Sequence, residues 1–278
     1  MAVLFMDDHY RYICRSTGGN MVLTENDKLI LITNDDGLYA AGLQRLISVM
    51  SDFGKLVVIS ATESRSAMSQ ALTVKHPLRV KLLEEDDGKR IYACSGTPTD
   101  GVKLAVNQLL ERRPDLIVSG INHGSNASAS VLYSGTMAAA LEGCLYKITS
   151  VGFSLNSYSP KADFSACDRY IRQICTLLLK EPLPEGICLN VNIPAIPADE
   201  IKGMVVARQA LGSWQEEFEK RKDPAGKTYY WLTGRFMNHE PEASDTDDWA
   251  IHNGYVAVVP VTTDMTAHGF IGTLKSKL

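Results

Sequence analysis

The side chains best placed to do chemistry are Asp35 and Asp36, adjacent carboxylates that follow the aliphatic run Leu29-Ile30-Leu31-Ile32 and precede Gly37. Four consecutive aliphatics have the length and residue types of a strand buried on both faces, as in a parallel α/β sheet. Ligands of such sheets sit outside the carboxyl ends of the strands, where this pair falls. Neighbouring carboxylates repel and resist shared burial, so the pair calls either for full solvation in an ordinary turn or for a cation. Two further polar stretches take up equivalent positions. Ala61 to Gln70, with Ser66, follows Leu56-Val57-Val58-Ile59; Ile121 to Ser128, with Asn122 and His123, follows Leu116-Ile117-Val118. Asp35, Asp36, Ser66 and Asn122 all offer oxygen, and an oxygen-only set suits a hard cation such as Mg²⁺ or Mn²⁺ better than zinc. The histidines show no HxH or HExxH spacing, which speaks against a zinc hydrolase.

Ser134-Gly135-Thr136 opens a helical stretch through Met137 to Leu141. Such an opening presents backbone N–H groups, two hydroxyls and the positive end of the helix dipole, a ready anion site; plain capping by Ser or Thr uses the same residues. A cation beside an anion-binding helix start can perform phosphoester hydrolysis, by polarising a phosphoryl oxygen and lowering the pKa of a water. No Walker A motif, dinucleotide fingerprint or GxSxG elbow is present to support a different chemistry.

These loops need a scaffold, and the chain alternates strand and helix signals from about residue 29 to 195. Buried strands are expected at 29–33, 55–60, 115–120, 148–154 and 187–193, with helices at about 39–52, 97–110 (opened by Thr97-Pro98), 134–141 and 164–180. Residues 78–82 and 90–94 read as a strand pair across Asp86-Asp87-Gly88. This rhythm predicts an α/β fold, a three-layer, Rossmann-like, mostly parallel sheet. After Pro194 come charge runs, the tract Thr228 to Thr233 as one arm of a β-hairpin, the acidic Asp245-Thr246-Asp247-Asp248, and a returning strand at 255–260. The expected organisation is therefore a polar extension over 1–27, a catalytic α/β domain over 28–200, and a C-terminal hairpin and oligomerisation segment over 201–278.

With 45% hydrophobic and 22% charged residues, the composition is that of an ordinary globular protein. A net charge of −4 advertises no basic surface, so binding of a nucleic-acid polymer is not expected. Cys14, Cys94, Cys144, Cys167, Cys175 and Cys188 form no CxxC pair and mostly sit among apolar residues, which fits a reducing cytoplasm. No apolar run approaches the roughly 18 residues that span a bilayer, and residues 1–27 lack a signal-peptide pattern.

Laid out in order, these stretches resemble the SurE (survival protein E) nucleotidase family over about residues 28 to 270. The resemblance is carried by Thr33-Asn34-Asp35-Asp36-Gly37, Ser64-Arg65-Ser66, Gly96-Thr97-Pro98-Thr99-Asp100, Ser119-Gly120-Ile121-Asn122, Tyr133-Ser134-Gly135-Thr136, Leu189-Asn190-Val191-Asn192-Ile193-Pro194 and Thr266-Ala267-His268. It implies that Asp35, Asp36, Ser66 and Asn122 ligate one divalent cation per subunit, Mg²⁺ or Mn²⁺, with Asp35 and Asp36 the catalytic pair. It further implies that Asn34, Asn126, Ser134, Gly135 and Thr136 contact substrate or phosphate. The expected activity is metal-dependent release of phosphate from nucleoside 5′- or 3′-monophosphates, with short polyphosphate a further substrate, in a homodimer or homotetramer assembled partly through exchanged C-terminal segments. The sequence departs from the family pattern at Ser60-Ala61-Thr62, where Ala-Pro-Asp is usual. It also departs at Gly124-Ser125-Asn126-Ala127-Ser128, which lacks a final glycine, and at Ala129-Ser130, where an acidic residue is common.

Three other readings compete. A phosphoryl-aspartate phosphatase would place Asp-x-Asp after its first strand so that both carboxylates share a face, whereas Asp35 and Asp36 alternate. A receiver-like signalling domain would carry a phosphoacceptor Asp where this chain has Ser119-Gly120. A nucleotide-binding protein with weak or lost activity is the reading to which the altered loop at 127–130 points.

Overall fold

The computed structural model describes residues 28–278, so the expected 1–27 extension lies outside the described residues. Strand β1 (Leu29–Thr33) has the doubly buried character its sequence predicts: Ile30 and Ile32 enter one hydrophobic core, Leu29 and Leu31 a second on the other face. It pairs in parallel with β2 (Lys55–Ala61) on one side and β5 (Leu116–His123) on the other. Adding β3 (Val80–Glu85), β4 (Lys89–Cys94), β6 (Ser150–Asn156), β7 (Ile187–Pro194), β8 (Met204–Val206) and β13 (Val256–Thr262) gives one sheet in the order β3-β4-β2-β1-β5-β6-β7-β13-β8. The run from β4 to β7 is parallel throughout; β3 and β13 are antiparallel to their neighbours β4 and β7.

Helices cover both faces. On one side α1 (Ala41–Met50) packs through Leu43, Leu46, Ile47 and Met50, beside α4 (Cys167–Lys180), which contributes Tyr170, Ile171, Ile174 and Leu178. Their spacing is that of an apolar helical stripe, and burying each such side chain contributes about 1.5–3 kcal/mol. On the other side lie α2 (Pro98–Leu104), with Val102, and α3 (Gly135–Leu145), with Ala139. The start of α2 is fixed by a capping box: the Thr97 hydroxyl accepts from Asp100 N at 3.1 Å while Asp100 Oδ2 accepts from Thr97 N at 2.9 Å. The helix expected to continue to residue 110 instead leaves α geometry after Leu104 and widens into a π turn over Ala105–Leu109.

Beyond β8 the chain builds two small antiparallel sheets. Strand β9 (Gly212–Gln215) pairs with β12 (Arg235–Asn238), and β10 (Phe218–Lys222) with β11 (Thr228–Leu232), the hairpin whose arm the sequence marks. Thr246 caps α5 (Asp247–His252), and Asp247 is fully buried. The last helix, α6 (His268–Lys275), buries none of its residues in this chain.

Candidate active site

The carboxyl ends of β1, β2 and β5 meet at Asp35 and Asp36. Asp35 is only 3% exposed. Its Oδ1 accepts a 2.6 Å hydrogen bond from the Thr136 hydroxyl at the start of α3. That approach depends on Gly135, where a Cβ would lie 2.8 Å from Asp35 Cβ and 2.9 Å from Oδ2, inside the range real side chains tolerate. Asp36 is partly exposed, and its Oδ2 accepts from His123 N at 2.8 Å, tying the end of β1 to the end of β5. Asn122 precedes that bond; its Nδ2 donates to the Gly124 carbonyl at 2.7 Å, which leaves Oδ1 as the atom that could meet a cation. The strand therefore runs on through Asn122 and His123, which the sequence assigns to a loop, and its register against β6 shifts between Ser119 and Asn122. Such irregularities re-aim side chains at strand ends.

The loop after β2 is fastened to the same point. Arg65 N donates to the Asp35 carbonyl at 2.6 Å, and Ser69 binds Tyr133 O and Leu132 O at 3.1 and 2.8 Å. Ser66 is thus held beside the aspartates but exposed, its hydroxyl 2.8 Å from that of Ser64. Arg65 N on the Asp35 carbonyl and His123 N on the Asp36 carboxylate thus join the segments that carry Ser66 and Asn122 to the aspartates.

Burial is the main electrostatic fact here. It lifts the Asp35 carboxyl to about 6, against the lowering bond from Thr136 and with a further push from Asp36. Burial also raises the Asp36 carboxyl, opposed by the His123 N–H. Among the described residues no lysine or arginine pairs with either, and no group of three or more His, Cys, Asp and Glu gathers as a metal site. Two desolvated carboxylates flanked by neutral amide and hydroxyl oxygens fit a hard divalent cation, which supplies the missing positive charge.

Three of the residues expected to contact substrate make hydrogen bonds within the fold. Asn34 is 1% exposed and pins the turn, its Nδ2 donating to Gly37 O at 2.9 Å and its Oδ1 accepting from Ser60 Oγ at 2.6 Å. The Ser134 hydroxyl accepts from Met137 N at 3.0 Å as the cap of α3, and the Thr136 hydroxyl, wholly buried, serves Asp35. Buried polar groups must be satisfied, and partners within the fold lie closest. Asn126 is likewise enclosed. Its Nδ2 donates to Ser154 Oγ at 2.8 Å, its N–H to Asn192 Oδ1 at 2.8 Å, and its carbonyl accepts from Asn190 Nδ2 at 2.8 Å. Asn190 and Asn192, joined at 3.0 Å, are site-supporting residues to which the sequence reading gives no role. Their signal is visible in retrospect: two amides at i and i+2 put both on one face of an otherwise apolar strand.

The same loop carries Ser128 at φ +53°, the left-handed conformation for which glycine is the usual choice. It is held there by Asp247, whose carboxylate accepts from Ser128 N at 2.8 Å and Ala210 N at 2.9 Å, and by its own hydroxyl donating to Ala210 O at 2.8 Å. The loop between β5 and α3 is thus clamped by β7 below and α5 above.

A family model described as survival protein SurE matches residues 30–216. The chain belongs to the SurE family. A relative named 5′-nucleotidase SurE from Flavobacterium psychrophilum is 49% identical over 249 residues, 89% of this chain and 96% of the relative. One of the same name from Bacteroides fragilis is 48% identical over 250 residues, 89% of this chain and 96% of that one. The crystal structure of SurE protein from Aquifex aeolicus superimposes with a TM-score of 0.77 at 34% identity, over 90% of this chain and 99% of that one. The matched stretch contains every residue of the three converging loops. The missing family glycine at position 128 is accommodated rather than disruptive, since Asp247 and Ala210 secure the serine that replaces it.

Proposed function

We propose that this protein is a divalent-cation-dependent 5′-nucleotidase that hydrolyses nucleoside monophosphates to nucleoside and phosphate. The nucleotidase activity follows from membership of a family whose curated relatives carry that name at almost half identity. The observation that carries the site assignment is the buried Asp35 beside the partly exposed Asp36, a pair without a cationic side-chain partner and joined by hydrogen bonds to the loops that bring Ser66 and Asn122. Asp35, Asp36, Ser66 Oγ and Asn122 Oδ1 would hold Mg²⁺ or Mn²⁺. When bound, the cation neutralises phosphoryl charge and polarises the phosphorus–oxygen bond.

The chain's own residues do the rest. Thr136 and the His123 N–H each anchor one oxygen of an aspartate, keeping both carboxylates in fixed orientation. The start of α3, brought close by Gly135, directs the positive end of a helix dipole towards the site, where charge develops on phosphoryl oxygens. Water attacks phosphorus, the ester bond breaks, and the ester oxygen leaves with a proton as the nucleoside hydroxyl. Nucleoside 3′-monophosphates and short polyphosphate are further substrates in this reading.

We also read the protein as a cytoplasmic homodimer or homotetramer. The described cysteines are free and buried, and no helix among the described residues is long and apolar enough to cross a membrane. Tyr229, Tyr230, Trp231 and Leu232 lie exposed on the hairpin, and Phe270, Ile271 and Leu274 on α6, which supports burial against further copies. Phosphate release from a panel of nucleoside monophosphates, with Mg²⁺ or Mn²⁺ and then with EDTA, beside Asp35→Asn, tests the activity. Turnover abolished by both EDTA and the variant supports it; no release with cation bound refutes it in favour of a nucleotide-binding protein. Light scattering in solution tests the assembly.

A further inference from the structure

A cavity of about 500 Å³ opens between the β5–α3 loop, the end of β6, the small sheet of β9 and β12, and α5. Its volume lies within the range of small-molecule sites. Trp214 from β9 and Phe236 from β12 form its aromatic wall, half-buried and packed edge to face with ring centres 6.2 Å apart. Tyr158, just past β6, adds a third ring. The polar lining includes Asn156 and Ser130, whose side chains make no hydrogen bond within the described residues, and the paired Asp248 and His252 of α5, but no lysine or arginine. This chemistry is wrong for a phosphate and right for a flat heteroaromatic ring: faces to stack on, with an amide and a hydroxyl to meet donors and acceptors on its edge.

The cavity and the aspartates share one loop. Ser125, Ala127, Ser128 and Ser130 line the cavity, and the same segment leads on to Ser134 and the helix start beside Asp35. The loop is rigidly held, by Asn190 and Asn192 on one side and Asp247 on the other. From this juxtaposition we propose that the Trp214–Phe236 cavity is the nucleobase subsite, receiving the base of a nucleoside monophosphate whose phosphate lies at Asp35 and Asp36. The proposal rests on the nucleotidase reading for its substrate. It adds residues from the C-terminal segment to a site otherwise built from the first half of the chain, and it makes the β9/β12 sheet a specificity element.

The test compares Trp214→Ala and Phe236→Ala with the unaltered protein on nucleoside monophosphates and on ribose 5-phosphate, which has no base. Base–aromatic stacking of ordinary strength predicts a loss of roughly tenfold to a hundredfold in kcat/KM on the nucleotides, mostly as higher KM, with ribose 5-phosphate changed by less than about twofold. Equal losses on both substrates, or none on nucleotides, overturn the subsite. Trp214→Leu and Tyr158→Ala provide the same comparison should the first variants fail to fold. Calorimetric titration with adenosine and cytidine gives a readout independent of turnover. Nucleoside binding that Trp214→Ala abolishes supports the subsite even if no phosphate is released by the unaltered protein, an outcome that would sink only the nucleotidase reading. Absence of nucleoside binding together with unchanged nucleotide kinetics in the variants refutes the subsite alone.

Discussion

Replacing Asp35 by Asn should destroy activity and yet stabilise the cation-free protein. Burial lifts the Asp35 carboxyl from 3.8 to about 6. The folded state therefore holds its proton more tightly than the unfolded chain does, and the charged form opposes folding. At about 1.4 kcal/mol per pKa unit, that rise corresponds to about 3 kcal/mol. The sign follows from which state binds the proton better. The penalty is absent below the unfolded pKa, develops between about pH 4 and 6, and is complete above that. Asparagine has nearly the same shape, still accepts the Thr136 hydroxyl, and carries no charge. In EDTA at about pH 7.5, Asp35→Asn should thus be more stable by about 1–3 kcal/mol, while at about pH 4 the two proteins should agree within about 0.5 kcal/mol. Saturating Mg²⁺ or Mn²⁺ should reverse the order, because only the aspartate form gains from binding. Urea denaturation of both proteins at the two pH values, with EDTA or cation, reads all of this. A variant that is less stable in EDTA near neutral pH, or a gap that does not change with pH, would refute the reasoning.

Other perturbations address the supports of the site. Gly135→Ala forces a methyl to within 2.8 Å of Asp35 Cβ and should cost about 1–3 kcal/mol as well as more than about tenfold in activity, checked by denaturation and phosphate release. Thr136→Val removes the bond that lowers the Asp35 carboxyl, so the acid limb of kcat/KM against pH should move to higher pH, and Thr136→Ser should restore it. Asp247→Ala leaves the Ser128 and Ala210 N–H groups buried without their acceptor and should cost about 2–5 kcal/mol in denaturation experiments, with weaker nucleotide binding as the loop loosens.

Much of the scaffold was legible in the sequence because it rests on local signals. The aliphatic quartet of β1 admits little but a doubly buried strand, Thr97-Pro98 and Ser134 mark helix starts by cap chemistry, and carboxylates at a strand end of such a sheet fall on the ligand side. Local signals could not assign roles that depend on distant partners. Asp247 sits in a run of acidic residues to which the sequence assigns no role, and becomes a buried clamp only because Ser128 and Ala210 present N–H groups to it from elsewhere in the fold. Thr136 is expected to contact phosphate, and only the fold shows that its hydroxyl also reaches Asp35, 101 residues away, at 2.6 Å. Trp214 and Phe236 carry no motif at all, and acquire meaning from the antiparallel pairing that sets them across from the β5–α3 loop. The residue types at the strand ends thus pointed to phosphoester hydrolysis and to an oxygen-donor set. Which oxygens remain for ligands, and what lines the neighbouring cavity, was decided by tertiary structure, because hydrogen-bond satisfaction and burial are properties of the folded neighbourhood rather than of the segment.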